Sequence, residues 1–505
     1  MNLTWMLEKS ARASAAKPAV VSDLGSMTYA ELLSASKRAA AVLRDRGVRP
    51  GDRVGVMMYN TPAFAVAAFG IWRAGAALVP INHKLTAHEV AYVIGHAKVR
   101  VAVVAEELAA RMHEGAPGVV ALTSGDTGGG EFDLGVAQAQ EWDGVDVGPD
   151  TVAQVLYTSG TTSAPKGCLH SHRGLSSVPA YTTAATGLRR DDRFLIAMPI
   201  WHAAPLNNWF LSMIYLGGTV VLLKEYQPVA FLEAVQKHRA TAFFGAPIAY
   251  LAPLKTLEAA GRDLSGFDLS SMRLWAYGGA PLGARTVRML QDAYGSDRFY
   301  QVYGMTEMGP VGSALYPEEQ VTKAGSIGAG GMPGVDIRVV GSDGSDARAG
   351  ETGELWLRSG TRMIGYLDDP AATERAFDGD WYKSGDLARV DEDGYLFIVD
   401  RLKDVVITGG ENVFSPEVEE ALRQHPAVQD CAVIGRPHEE WGETVVAVVE
   451  ANAAVTLDEL RRFLATTLAK YKIPRELVVL PSLPRTPSGK VMKHVLREQA
   501  LPDAR

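Results

Sequence analysis

Residues 157–167 read YTSGTTSAPKG: glycine, serine and threonine crowd together and end on one proline, one lysine and a glycine. Hydroxyls, glycine amides and a single ammonium in such a run suit the many acceptor oxygens of a polyphosphate. The run has too few helix formers for a helix and is too polar for a core strand, so it reads as a loop. A Walker-type phosphate loop needs glycine directly before its lysine, Ser or Thr directly after it, and a helix beyond. Here Lys166 follows Pro165 and precedes Gly167, and the next residues, CLHSH, alternate like a strand. The loop is therefore expected to join two strands and to hold phosphates by amides and hydroxyls, without a helix dipole. Composition alone leaves a plain surface loop as the competing reading.

The elements around it alternate. Between residues 50 and 105 the apolar runs RVGVMMY, ALVPI and VRVAVVA are separated by the helix-like PAFAVAAFGIWRAG. VLLKEY, PVAFLEAVQKH and TAFFGAP repeat the rhythm at 221–247, and RLWAYGGAP followed by a periodic stretch repeats it at 273–293. This is the pattern of layered α/β structure, and it predicts two stacked α/β subdomains. From about 322 the chain turns glycine-rich with short alternating strands, as in a small β-subdomain. Past VDRLKDVV a compact α+β segment begins: Ser415 is expected to cap a helix with Pro416 at its first position, and Thr456-x-x-Glu459 to open a helix running to Lys470. The expected division is a large N-terminal domain, 1–400, and a small α+β C-terminal domain, 401–505.

At 505 residues the chain exceeds what one core supports, so at least two domains are expected. Its 47% hydrophobic and 21% charged residues are those of a globular protein, with no apolar run long enough for a membrane span. Fifty basic residues against 58 acidic ones give a net charge of -8, which argues against nucleic acid as the partner. The two cysteines, Cys168 and Cys431, lack zinc-site or disulfide spacing. With no signal-like start and no peroxisomal address in the terminal PDAR, a cytoplasmic enzyme is expected.

Further motifs follow the loop in a fixed order: PIWHAAP (199–205), YGMTE (303–307), WYKSGDL (381–387), VDRLKDVVITGGENVFSPEVEE (399–420) and PRTPSGKVMK (484–493). In this order they resemble the adenylate-forming (ANL) superfamily and, within it, the acyl-CoA synthetases of the AMP-dependent synthetase and ligase family. The resemblance implies a two-step reaction. A carboxylate attacks the α-phosphate of ATP and displaces pyrophosphate; the thiol of coenzyme A then takes the acyl group from the adenylate.

It also implies roles, residue by residue. Thr158, Ser159, Thr161, Thr162 and Lys166 would cradle the β- and γ-phosphates, with Ser163 standing where most relatives carry glycine. Tyr303 would stack on adenine, Thr306 would donate to the α-phosphate, and Glu307 would hold Mg²⁺. Gly278, Gly279 and Ala280 would let adenine lie against the backbone, while Asp386 and Arg401 would bind ribose and the adjoining phosphate. Taken alone, Arg401 reads equally well as a structural salt bridge. Lys490 would bridge carboxylate and α-phosphate during adenylation, carried by a mobile C-terminal domain that turns about Lys403. Gly409, Gly410 and Trp441 would line the path of coenzyme A.

His202 would gate the acid and help line its pocket, together with Trp201, Asn207, Asn208, Phe243, Ala246, Val302 and Met305. Ala203, uncharged where amino-acid-activating relatives tend to carry aspartate, argues against an α-amino acid. Without a basic partner for a second carboxylate, a monocarboxylate is expected. Aryl, alicyclic, medium-chain and terpenoid acids all stay open. So do three other points: an acyl-AMP ligase loading a separate carrier protein, a nucleotide-binding pseudoenzyme, and a homodimer.

Overall fold

The computed structural model describes residues 2–158, 165–485 and 491–499. The protein is a mixed α/β structure with a large N-terminal and a small C-terminal domain. By packing, residues 2–158, 165–337 and 357–382 form one compact unit, and 338–356 with 383–485 and 491–499 form the other.

The larger unit holds two sheets. In the eight-stranded sheet, Phe299–Gly304, Leu274–Gly278, Ala242–Gly245, Arg193–Ile196, Thr219–Leu222 and Pro18–Ser22 run parallel in that order. Such strands are covered on both faces, which is why LWAYG and TVVL are buried at every position. The helices Pro228–His238 and Ala284–Tyr294 fall where the periodicity places them. A cluster of Leu195, Val221, Phe231, Leu232, Phe243, Tyr250 and Trp275 fills one side of this sheet.

The seven-stranded sheet carries the motif loop. Val152–Thr158 and Lys166–Ser171 pair antiparallel with Thr158 opposite Lys166, so the loop joins two strands as expected. Ser159, Thr161, Thr162 and Ser163 lie outside the described residues.

In the second unit, residues 386–390 pair antiparallel with 396–401. Beyond them comes an α+β fold in which Glu411–Val413, Val406–Thr408, Gly442–Ala451 and Val428–His438 make a sheet, with Glu476–Leu480 parallel to Gly442–Ala451. Val406, Val418, Leu422, Val433, Val445, Leu460 and Leu464 form its core.

Two local expectations need correction. Ser415 is the first residue of the helix Ser415–Arg423, not its cap; its amide and hydroxyl both donate to Asp400. The helix opened by Thr456, whose side chain accepts from the Glu459 amide, ends at Leu464 and not Lys470. Thr466 and Thr467 turn their hydroxyls onto the carbonyls of Phe463 and Leu464, which competes with helix continuation.

Candidate active site

Ligands of open α/β sheets bind beyond the carboxyl ends of parallel strands. Four neighbouring strands of the eight-stranded sheet end in the expected site motifs. Ile196 leads to Trp201 and His202, Gly245 to Ala246, Gly278 to Gly279 and Ala280, and Gly304 to Met305, Thr306 and Glu307. One edge of one sheet therefore gathers the proposed acid gate, adenine shelf and α-phosphate donor.

Thr306–Met308 is a single tight turn, held from outside: the Met363 amide donates to the Glu307 carbonyl at 2.7 Å and the Thr361 hydroxyl to the Met308 carbonyl at 2.7 Å. Gly304, just before it, approaches the Pro310 carbonyl so closely that an added Cβ would lie 2.2 Å from the oxygen. A larger residue there would push the turn away. Gly278 is similarly tight, since its Cβ would lie 2.6 Å from the Val302 carbonyl and 3.1 Å from the Phe244 ring.

Lys166, half-buried at the start of its strand, places its ammonium 4.9 Å from the ring centre of Tyr366. The Tyr366 hydroxyl donates to Glu307 Oε1 at 3.2 Å and also hydrogen-bonds Tyr382. Burial, followed by the negative charge of Glu307, pushes both phenols well up. Among the described residues no group of three or more His, Cys, Asp and Glu forms a protein-built metal cage. The single Glu307 carboxylate, held by the Tyr366 hydroxyl, is of the kind that fits Mg²⁺, which takes one or two protein carboxylates and completes its shell with phosphate and water oxygens.

On the acid side, Trp201 is buried, its ring 3.9 Å from that of His202. Its indole donates to His83 Nδ1 at 3.1 Å, and the other nitrogen of His83 lies 3.4 Å from Glu225. Residues Ala204–Phe210 then form a π-helical turn, a widening that recurs at functional sites. This turn buries Asn207 and Asn208. Asn207 donates to Gln154 at 2.9 Å and Asn208 to the Pro310 carbonyl at 3.4 Å, while the buried Asn207 Oδ1 has no hydrogen-bond partner among the described residues.

Phe243, expected in the pocket, packs into the core. It is fully buried in the core cluster, 4.4 Å from Phe231, because successive strand residues face opposite ways. Its neighbour Phe244, overlooked in the sequence, faces the other side, against Trp209 at 5.4 Å and beside Gly278. Val302, Ala246 and Met305 are buried or half-buried at the strand ends.

In the second unit Asp386 is buried and Arg401 lies opposite it in the strand register, with Nε 2.8 Å from Oδ1. The backbone leaves this pair through a tight turn in which the Asp404 amide donates to the Arg401 carbonyl at 2.8 Å. Lys403 sits in that turn; partial burial and the nearby Arg401 and Arg497 lower its pKa, against Asp404 and Asp386. Further on, the Gly409 amide donates to the Trp441 carbonyl at 2.8 Å, which brings the GGEN and HEEWGE segments together. Gly409 and Gly410 take φ of 61° and 84°, a turn that side chains resist. Trp441 is exposed and lies 4.5 Å from the Arg475 guanidinium. Lys490 lies outside the described residues.

Comparison with known proteins agrees with this geometry. Residues 7–367 match the AMP-binding enzyme family and 417–490 match the AMP-binding enzyme C-terminal domain. The chain belongs to this family, as an acyl-CoA ligase of the adenylate-forming superfamily. It is 37% identical to a feruloyl-CoA synthase of an Amycolatopsis species, over 98% of both chains. It is 33% identical to a long-chain-fatty-acid–CoA ligase of Mycobacterium tuberculosis, over 99% of this chain and 98% of that one. The crystal structure of ATP-bound MatB from Rhodopseudomonas palustris superimposes with a TM-score of 0.88 at 31% identity, covering 99% of each chain.

Proposed function

We propose that this acyl-CoA ligase is AMP- and pyrophosphate-forming and acts on a hydrophobic monocarboxylic acid with a bulky or cyclic body. The observation that carries the reading is the shared strand-end edge, where His202, Ala246, Gly278 and Thr306–Glu307 converge. The acid's carboxylate oxygen attacks the α-phosphorus, pyrophosphate leaves, and the acyl carbon becomes a mixed anhydride. The thiol of coenzyme A then attacks that carbon and AMP departs.

Every step handles anions, so positioned donors are the main resource, each worth about 2.7 to 4 kcal/mol in comparable sites. Lys166 and the hydroxyls of the 158–166 segment hold the terminal phosphates, and Thr306 donates to the α-phosphate. Asp386 accepts from the ribose hydroxyls, and Lys490 neutralises charge between carboxylate and phosphate. Mg²⁺ bound at Glu307 would neutralise further phosphate charge.

The apolar body of the acid meets Trp201, Phe244, Val302 and the bare backbone at Gly278, a wall of aromatic and aliphatic surface with no Lys or Arg among these residues. One similar protein is named a feruloyl-CoA synthase and another a long-chain-fatty-acid–CoA ligase, names that support a carboxylic acid with a sizeable body. Two free, buried cysteines suit a reducing cytoplasm, where we place the enzyme.

The test is pyrophosphate release across linear, aromatic, alicyclic and polycyclic acids, with and without coenzyme A, with thioesters identified by mass. A coenzyme A-dependent thioester on an apolar monocarboxylate is expected. Adenylate without thioester would move the acceptor to a carrier protein. Preference for a dicarboxylate would overturn the pocket assignment.

A further inference from the structure

Glu307 and Lys166 carry opposite charges toward the same place. Both lie against one side chain: the Lys166 ammonium is 4.9 Å from the Tyr366 ring centre and the Glu307 carboxylate 3.2 Å from the Tyr366 hydroxyl. Two such charges attract strongly away from bulk water, and a direct ion pair would silence both. Each would then have to be pulled from the other before it could meet phosphate or metal.

The structure puts a phenol between them. Tyr366 belongs to the short strand Gly365–Tyr366, which pairs antiparallel with Lys166–Ser171 so that Tyr366 lies opposite Cys168 and Gly365 opposite Leu169. Lys166, two residues before Cys168, shares its face of the strand. Its ammonium sits 4.9 Å from the Tyr366 ring centre, within cation–π range. The hydroxyl at the far end of the same ring donates to Glu307 at 3.2 Å. The backbone secures the arrangement: the Tyr366 amide donates to the Thr373 hydroxyl at 2.9 Å, the Leu367 amide to the Gly167 carbonyl at 2.8 Å, and the Met363 amide to the Glu307 carbonyl at 2.7 Å. Tyr382, buried, hydrogen-bonds the same hydroxyl and fixes which way it points.

We infer that Tyr366 is a positioning residue that keeps Lys166 and Glu307 apart as two separately usable charges, the ammonium for nucleotide phosphate and the carboxylate for a divalent cation. Its ring face satisfies the cation weakly enough for phosphate to displace it, and its hydroxyl orients the carboxylate without neutralising it. This rests on the functional reading above, since it assumes that Lys166 and Glu307 serve ATP and Mg²⁺.

Calorimetric ATP binding, with Mg²⁺ and with EDTA, tests it on Tyr366→Phe and Tyr366→Leu. The Phe variant keeps the ring and loses the hydroxyl. It should bind ATP like the unsubstituted protein in EDTA, and about threefold to tenfold more weakly in Mg²⁺. The Leu variant frees Lys166 to pair with Glu307 and should bind about tenfold or more weakly in both conditions. A purely structural tyrosine would weaken binding without regard to metal. Unchanged Mg²⁺ dependence in the Phe variant overturns the inference, and that variant alone decides if the Leu variant proves unfolded by circular dichroism. Failure of the unsubstituted protein to bind ATP at all would instead overturn the functional reading, and the role of Tyr366 with it.

Discussion

Arg401 Nε lies 2.8 Å from Asp386 Oδ1, the two residues facing each other across an antiparallel strand pair. The Asp386 side chain is buried and that of Arg401 half exposed, so the guanidinium fixes one carboxylate oxygen and still reaches solvent. The salt bridge is thus compatible with the proposed ribose-and-phosphate role, in which the arginine orients the acid that receives the hydroxyls. Asp386→Ala removes the acceptor and strands the arginine, and should raise the KM for ATP by about tenfold to a hundredfold. Arg401→Lys keeps the charge but loses the planar fork, and should give a smaller rise. ATP saturation in the pyrophosphate-exchange assay measures both, and an unchanged KM in both variants would leave the pair purely structural.

Trp441 offers an exposed indole beside Gly409 and the Arg475 guanidinium. Trp441→Ala should raise the KM for coenzyme A by about tenfold, the loss of one good stacking surface, and leave acid-dependent pyrophosphate exchange unchanged. An equal fall in both half-reactions would return Trp441 to a packing role.

In the proposed mechanism Lys490 serves adenylation and Lys403 the domain turn that precedes thioester formation. Lys490→Ala should abolish adenylation and spare coenzyme A attack on supplied acyl-AMP. Lys403→Pro fixes one φ in the turn after Arg401; thioester formation should fall about tenfold or more with pyrophosphate exchange within about twofold. Half-reaction kinetics on both variants read this directly, and equal losses in the two steps would contradict domain alternation.

His170 is fully buried on the strand behind the Thr306 turn, and burial pushes its pKa down to about 4, opposed by the Thr306 backbone. His172 is also buried and also falls to about 4. Unfolded histidine titrates near 6.5, so below that pH the unfolded chain takes up protons that the folded one refuses. Stability is fully present above about 6.5 and is lost as pH falls toward 4, by up to about 1.4 kcal/mol per pH unit for each histidine. Urea melts of His170→Asn should show a shallower loss between pH 6.5 and 4. An unchanged slope would mean that His170 takes up its proton in the folded state.

The sequence made much of this legible and left out what depends on pairing. Pro165 and the alternation after it placed the phosphate loop between strands, because local chemistry decides that. Phe243 and Phe244 are chemically identical, and only the face each presents separates the core position of Phe243 from that of Phe244 against Trp209; the sequence gives no sign of which way the strand is turned. Tyr366 lies in MIGYLDD, with nothing in that stretch to mark it until strand pairing brings it opposite Cys168. Asp386 and Arg401 were each readable as site residues, but their mutual contact required the register. The helix after Thr456 was read too long because side-chain bonds from Thr466 and Thr467 outweigh the apolar periodicity.

The most direct test of the two-step account is isotopic. An acid ¹⁸O-labelled in its carboxylate is turned over with ATP, Mg²⁺ and coenzyme A, and the products are separated by mass. Attack on the α-phosphorus predicts one labelled oxygen in AMP for each thioester formed and none in pyrophosphate. Unlabelled AMP, or label in pyrophosphate or inorganic phosphate, would contradict it.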